Sequence, residues 1–387
     1  YENDSLYMEM SSMDSVRYML HFMHCGFIAM EPGNGHVKAW VGDVDFDTWK
    51  YDKVRAKHQP GSTFKLFVYA MAMERGLVPC DRRLDEYIDT LVYNEEKQEM
   101  EPWRPTNANG TFSGADMTLR SAFAQSINSV TVRVAQEVGF KEIAQLARDM
   151  GINSPMDPRP ALSLGASDVD LMELVNAYCT VVNDGMMHDP VIVTRIVDRD
   201  GKEIYKAPEG QQRVMSYRSA WLMQQMLMAC RTDAGGTAMA LNGYITRPLY
   251  DVDLGGKTGT SNRHADAWFV AVSPGLVCGS WVGGEYRQIH FRWGALGQGS
   301  RTALPICGRF LQLVLSDPQF QKYHQRFQPA KEPINADLYS GCSSIAPVEE
   351  FDSTMLDFDE DSLNIPLTDD FNPDEKLEEP IADPDSV

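Results

Sequence analysis

Stretches whose apolar residues recur at helical spacing alternate along this chain with short runs that are apolar almost throughout, and their order predicts the elements. Residues 6–24, LYMEMSSMDSVRYMLHFMH, carry the helical spacing and meet Gly26, which predicts a helix entering the domain with a methionine-rich packing face. GFIAMEP and HVKAWVG flank Gly33-Asn34-Gly35, where Asn-Gly supplies the positive φ of a tight turn, so two paired strands are expected. After Pro60-Gly61, STFKLFVYAMAMERG keeps helical spacing up to Gly76 and predicts a largely buried helix beginning at or beside Ser62. Residues 77–116 are turn-rich and read as irregular connection. Residues 117–185 are mostly helical, the last segment, DLMELVNAYCTVVNDG, being capped by Ser167. A second hairpin centres on Asp200-Gly201, YRSAWLMQQMLMAC is one more helix, and GGKTGT, DAWFVAVS and LVCGSWVGG are strand-like. Two strands first, helices between and three strands last predict an α/β domain in which distant segments complete one antiparallel sheet.

Charge changes the picture at the C-terminal end. Of the formal net charge of -20, residues 349–387 carry -14, so the rest of the chain is only mildly acidic. Periodicity fades after about residue 330, which predicts a disordered acidic tail over residues 331–387 behind a domain spanning residues 26–330, with residues 1–25 as a linker helix. No basic stripe is visible, so nucleic-acid binding is not expected, and no apolar run approaches the roughly 18 residues of a membrane span. The seven cysteines are dispersed and odd in number; they read as small core hydrophobes rather than a disulfide framework or a zinc site, and neither metal nor cofactor is expected. The chain begins at Tyr1 with neither initiator Met nor signal peptide and reads as a piece of something longer.

Three short motifs carry the chemistry. Ser62-Thr63-Phe64-Lys65 is the only S-x-x-K, Lys257-Thr258-Gly259 the only K-T-G, and S-x-N occurs at Ser126-Ile127-Asn128 and again, in the acidic tail, at Ser362-Leu363-Asn364. Each is weak alone; their order and context are specific. A serine hydroxyl attacks only when a base takes its proton, and residues three apart on a helix share a face, which brings Lys65 to Ser62. Lys65 acts as a base only if burial or a nearby cation lowers its pKa from about 10.4, and Lys257 is a candidate for that cation. A helix N-terminus also surrounds Ser62 with free N–H groups suited to an oxyanion. On the K-T-G strand, Gly259 permits close approach, while Lys257, Thr258 and Thr260 offer a cation and two hydroxyls to a substrate carboxylate. Ser126 is placed to relay a proton to a leaving amine and the Asn128 amide to bind a peptide carbonyl, which together describe acyl transfer through a seryl ester.

S-x-x-K, S-x-N and K-T-G in this order resemble penicillin-binding proteins and serine β-lactamases, with Ile127 where the second motif usually has Asp. HQPGSTFKLFVYA, W-x-P-x-N at Trp103 to Asn107, TLRSAFAQSINSV, LSLGASDVDLMELVNAY, GGKTGTSN with DAWFVAVSP, and WVGG narrow the likeness to the transpeptidase domain of class A, bifunctional penicillin-binding proteins, over about residues 26–315. The resemblance implies a five-stranded antiparallel sheet flanked by helices, with an all-helical subdomain. It implies Ser62 as the acylated nucleophile, Lys65 as base, Ser126 and Asn128 as the second motif, and Lys257, Thr258 and Thr260 as the carboxylate-binding strand. The N–H groups of Ser62 and Thr260 would form the oxyanion hole, and Trp103 would line the donor groove. The implied partners are donor and acceptor peptidoglycan stem peptides and β-lactam antibiotics. The implied location is the extracytoplasmic face of the bacterial inner membrane, in a parent with a membrane anchor and a glycosyltransferase domain. Nothing in residues 1–25 is long enough to be either, so glycan polymerisation is not expected of this chain. A serine β-lactamase, with Glu173 as its deacylating residue, and a non-catalytic penicillin sensor are the alternatives.

Overall fold

The computed structural model describes residues 8–94, 97–245, 252–340 and 342. Helix α1 (Ser12–Leu20) precedes strands β1 (His24–Met30) and β2 (Val37–Val41), and a 3-10 turn over Gly61–Phe64 leads into α2 (Lys65–Glu74). Four short strands follow, β3 (Arg82–Leu84), β4 (Thr90–Asn94), β5 (Glu99–Trp103) and β6 (Asp116–Thr118). Next come α3 (Leu119–Ala124), α4 (Asn128–Val138), α5 (Phe140–Asp149) and α6 (Leu171–Val182). Then β7 (Met186–Met187), β8 (Arg195–Val197), β9 (Glu203–Lys206) and β10 (Gln212–Arg213) pair 7 with 10 and 8 with 9. The chain continues through α7 (Tyr217–Thr232), β11 (Gly255–Thr260), β12 (Asp266–Val272), β13 (Val277–Gly283), α8 (Gly294–Gly297) and α9 (Ala303–Ser316).

The first two strands and the last three form the expected antiparallel sheet, in the order β11-β12-β13-β1-β2. Every residue of β12 and β13 is buried, because both faces are covered. A Cβ at Gly279 would run into Val175 of α6, whereas the next residue, Ser280, donates from its hydroxyl to Ala303 O of α9. Successive strand residues face opposite ways, so α6 and α9 sandwich the sheet. Helix α2 is buried from Lys65 to Ala70 without a break, as its near-continuous apolar sequence demands. Facing α4, α5 and α7, it forms the centre of the helical part.

Several expectations are corrected. Helix α1 buries no residue and Met13 is 61% exposed; the chain turns into β1 at His24 before the methionine face can meet the core. Residues 77–116 hold three strands and the start of a fourth, in small two-stranded sheets too short to show a period. Ser167 does not cap α6: Asp170 Oδ1 accepts from Glu173 N at 2.8 Å, because Val169 is still extended and pairs with His58. The boundary at residue 330 falls too early. Lys331 N donates to Tyr217 OH at 3.2 Å, Cys80 N donates to Leu338 O at 3.0 Å, the Tyr339 ring meets Trp221 edge-on, and Cys342 is disulfide-bonded to Cys80. This strap follows the side of α7 with no element of its own beyond a single 3-10 turn over Ala336–Leu338, so its sequence resembles a tail. Five cysteines are free, as core residues should be; two form the disulfide that the dispersed pattern did not predict. The second S-x-N and the acidic segment from Ser343 lie outside the described residues.

Candidate active site

The serine-bearing turn lies backbone-to-backbone on the edge strand of the sheet. Gly61 has φ +52°, and a Cβ there would sit 2.5 Å from Thr260 O; a Cβ at Gly259 would sit 2.3 Å from Pro60 O. Only glycine fits both positions. Trp268 Nε1 donates to Gln59 O at 2.7 Å, Tyr178 OH donates to Thr63 O at 2.9 Å, and Thr63 Oγ1 donates to Pro60 O at 2.8 Å, which fixes the turn from three sides. Ser62 therefore sits in a 3-10 turn, with the α-helix starting at Lys65 rather than at the serine. In a 3-10 turn residues three apart eclipse, so Ser62 and Lys65 still share a face.

Lys65 is completely buried. Its Nζ donates to Ser126 O at 2.7 Å and to Asn128 Oδ1 at 2.6 Å, with Ser126 Oγ at 3.3 Å. From the opposite wall Lys257, equally buried, donates to Ser126 Oγ at 2.9 Å and to Thr258 O at 3.1 Å. One hydroxyl thus lies between two lysines, and Ser126 is held in the left-handed region at φ +63° to put it there. No carboxylate pairs with either lysine among the described residues. Burial, and secondly the Lys257 charge, push Lys65 well below its ordinary pKa; burial pushes Lys257 down to about 8.

An amine that gives its two N–H bonds to Ser126 O and Asn128 Oδ1 keeps a lone pair free, which is what a base requires. The structure therefore brings Lys65, Ser126, Asn128 and Lys257 together, with Ser62 in the turn that Lys65 N closes on Ser62 O. Thr258, Gly259 and Thr260 continue along β11, an edge strand whose alternate N–H groups have no sheet partner. Thr260 Oγ1 accepts from Gly299 N at 3.2 Å. Trp103 stands apart: it ends β5 opposite Thr90, and its indole makes no hydrogen bond among the described residues. Its sequence neighbours matter more, since Asn128 Nδ2 donates to Thr106 O at 2.7 Å and Asn128 N to Asn107 Oδ1 at 2.9 Å. Glu173 accepts from Asn153 N at 3.2 Å and Ser154 Oγ at 2.7 Å, and so pins the turn after α5. Asp266 is buried beneath the end of β11; burial raises its carboxyl, but hydrogen bonds from His58, Ser261 and Trp281 prevail and hold it below the usual range.

The fold is that of penicillin-binding transpeptidase domains. The family described as "Penicillin binding protein transpeptidase domain" matches residues 25–275, and the chain belongs to it. It is 33% identical over 307 residues to a "Penicillin-binding protein 1A" of Rickettsia typhi, covering 75% of this chain and 38% of that protein. It is 30% identical over 270 residues to "Penicillin-binding protein 2D" of Bacillus subtilis, covering 67% of this chain and 37% of that one. The chain thus spans well under half the length of these relatives. Among solved structures it resembles Penicillin-Binding Protein 1A from Haemophilus influenzae, with a TM-score of 0.67 and 26% identity, over 76% of this chain and 48% of that one. It shares its fold with PonA1 from Mycobacterium tuberculosis in complex with penicillin V, at a TM-score of 0.65 and 20% identity, over 86% and 88% of the two chains.

Proposed function

We propose that this domain is a D,D-transpeptidase that forms a seryl acyl-enzyme at Ser62 from the D-Ala-D-Ala end of a donor stem peptide and passes the acyl group to an amine of an acceptor stem. The observation that carries this reading is the pair of unneutralised buried lysines on either side of the Ser126 hydroxyl, one turn from Ser62. Neutral Lys65 takes the Ser62 proton as Oγ attacks the carbonyl carbon. The N–H groups of Ser62 and Thr260 receive the oxyanion, and Ser126 carries the proton on to the leaving D-Ala amine. Lys257 stays charged and, with Thr258 and Thr260, holds the terminal carboxylate. Asn128 binds the amide next to the scissile bond, and Trp103 is assigned to the donor groove. β-Lactams enter as mimics of the donor and acylate the same serine.

The setting we assign is the bacterial envelope, on the extracytoplasmic face of the inner membrane, in a parent that carries a membrane anchor and a glycosyltransferase domain. The Cys80–Cys342 disulfide supports an oxidising compartment. Against the β-lactamase alternative stands the engagement of Glu173 with Asn153 and Ser154, which leaves no activated water base in that position. Mass spectrometry after incubation with benzylpenicillin tests both points. One adduct on Ser62, lasting many minutes in wild type and in Glu173→Gln alike, is expected. An adduct on another residue overturns the assignment of the nucleophile. Turnover within seconds that disappears in Glu173→Gln makes the protein a β-lactamase.

A further inference from the structure

Helix α4, which carries Asn128 at its first turn, has no cap of its own: the residue before it is Ile127, whose side chain accepts nothing. A helix start leaves backbone N–H groups without partners. Here the partner is remote in sequence, because Asn107 Oδ1 accepts from both Asn128 N at 2.9 Å and Ser129 N at 3.2 Å. Asn107 in turn is oriented by one carboxylate. Its Nδ2 donates to Asp85 Oδ1 at 2.7 Å, and the same oxygen accepts from Ser129 Oγ at 2.5 Å. Asp85 Oδ2 accepts from the N–H and hydroxyl of Ser113, each at 2.8 Å. The Asp85 residue is 3% exposed, and all four bonds are donated to it.

We propose that Asp85 is a positioning residue for the second motif: by orienting Asn107 and holding Ser129, it fixes the start of α4 and hence the Asn128 amide that holds Lys65 Nζ. The inference rests on the proposed reading of Lys65 as the acylation base. A carboxylate suits this place better than an amide, because every neighbour aimed at it is a donor and Asn would turn an N–H towards one of them. If the start of α4 shifts, Lys65 loses its 2.6 Å acceptor. An ammonium needs that acceptor more than a neutral amine does, so its loss lowers the Lys65 pKa further. The acid limb of the acylation profile then moves to lower pH, while the rate falls because Asn128 no longer meets the substrate amide.

The test is the pH dependence of the second-order rate constant for acylation by benzylpenicillin, per titrated active site, in Asp85→Asn, Ser129→Ala and Ser113→Ala. Asp85→Asn is expected to lose about 10- to 100-fold, the scale of a misplaced catalytic group, and to move the acid limb down by at least about half a pH unit. Ser129→Ala, which cuts only the direct tie to α4, moves both readouts the same way by less. Ser113→Ala, whose bond does not reach α4, keeps the wild-type limb. A purely structural role would reduce the number of titratable sites without moving the limb. Rate constants within about threefold of wild type and an unmoved limb in Asp85→Asn overturn the inference. Should that variant not fold, the same result in Ser129→Ala overturns it. A wild-type chain that forms no Ser62 adduct overturns the proposed function and this inference with it; a normal adduct with unmoved variant profiles overturns this inference alone.

Discussion

Both edges of the sheet bury lysine, and they treat it in opposite ways. Beside β2, Lys53 is 2% exposed and donates to Glu285 Oε2 at 2.6 Å. In the same cluster the Nδ1 of fully buried His24 lies 2.7 Å from Asp43. Beside β11, Lys65 and Lys257 are buried completely and bond to hydroxyl, carbonyl and amide oxygens, with no carboxylate partner among the described residues. Burial is therefore not what distinguishes the cleft; withheld neutralisation is. At the far edge Lys53 has an anion and the cluster is structural. At the cleft the cost of burying charge is left standing, which in the proposed reading favours a neutral Lys65 and leaves Lys257 for a carboxylate that arrives with the substrate.

The largest expected effect follows from removing the cleft's reactive groups. Ser62→Ala leaves no covalent penicillin adduct, and Lys65→Ala loses about 10²–10⁴-fold or more in acylation rate, the usual contribution of a general base. Lys53→Ala, also the loss of a buried lysine, leaves the acylation rate constant of the folded fraction near wild type. Rapid-quench mass spectrometry of the three variants checks this. Labelling of Lys65→Ala at the wild-type rate would reassign the base, and a comparable loss in Lys53→Ala would erase the distinction between the two edges.

How much of this could be read from the sequence depends on the range of the interaction. The sheet was legible because β1, β12 and β13 are apolar nearly throughout and glycine-punctuated, and the three motifs were legible because their chemistry is local to a few residues. Helix α9 is not among the elements expected from the sequence, although its buried positions, among them Leu304, Cys307, Gly308, Leu311 and Leu315, keep helical spacing over one face of the sheet. Residues 331 to 342 read as tail because their ties run to distant partners, Tyr217 and Asp184 for Lys331 and Cys80 for Leu338 and Cys342, which no local pattern announces. Asp85 was invisible for the same reason: its partners Asn107, Ser113 and Ser129 are spread along the sequence, so nothing near Asp85 marks it as part of the site.

Stability separates the two edges with opposite signs. Lys257 titrates at about 8 in the fold and near 10.4 when unfolded, so its burial costs stability in full below pH 8, and the cost is relieved as pH rises from 8 to about 10.4. Lys257→Met should therefore stabilise the fold at pH 7, by up to about 3 kcal/mol less the two hydrogen bonds it forfeits, and so raise the melting temperature, while acylation falls. The gain should vanish above about pH 10. Lys53→Met strands Glu285 beside His24 and Asp43 and should lower the melting temperature by a few degrees. Thermal melts of wild type and both variants across pH 7–10.5 decide the matter. A destabilised Lys257→Met at pH 7 would show that the cleft lysine is compensated after all.

The smallest effect expected is at Thr260, which belongs to the cleft but not to its lysine cluster. Its hydroxyl accepts from Gly299 N, and its place at the end of β11 leaves it partly exposed towards the serine-bearing turn. In the proposed reading this hydroxyl donates to the substrate carboxylate, a charge-assisted bond worth about 1.5–3 kcal/mol, or roughly 10- to 100-fold. Thr260→Val keeps the shape and removes the donor. It also leaves Gly299 N without its partner, but that penalty is the same whatever ligand binds and cancels when ligands are compared. Acylation by a penicillin should therefore fall by about 10-fold or more, and acylation by the methyl ester of the same penicillin by much less, since the ester offers no charge to lose. The pH limbs should not move, because neither lysine has lost a neighbour. Equal losses for acid and ester would mean that Thr260 orients β11 rather than reads the carboxylate, and would leave Lys257 as the sole charge-sensing group of the strand.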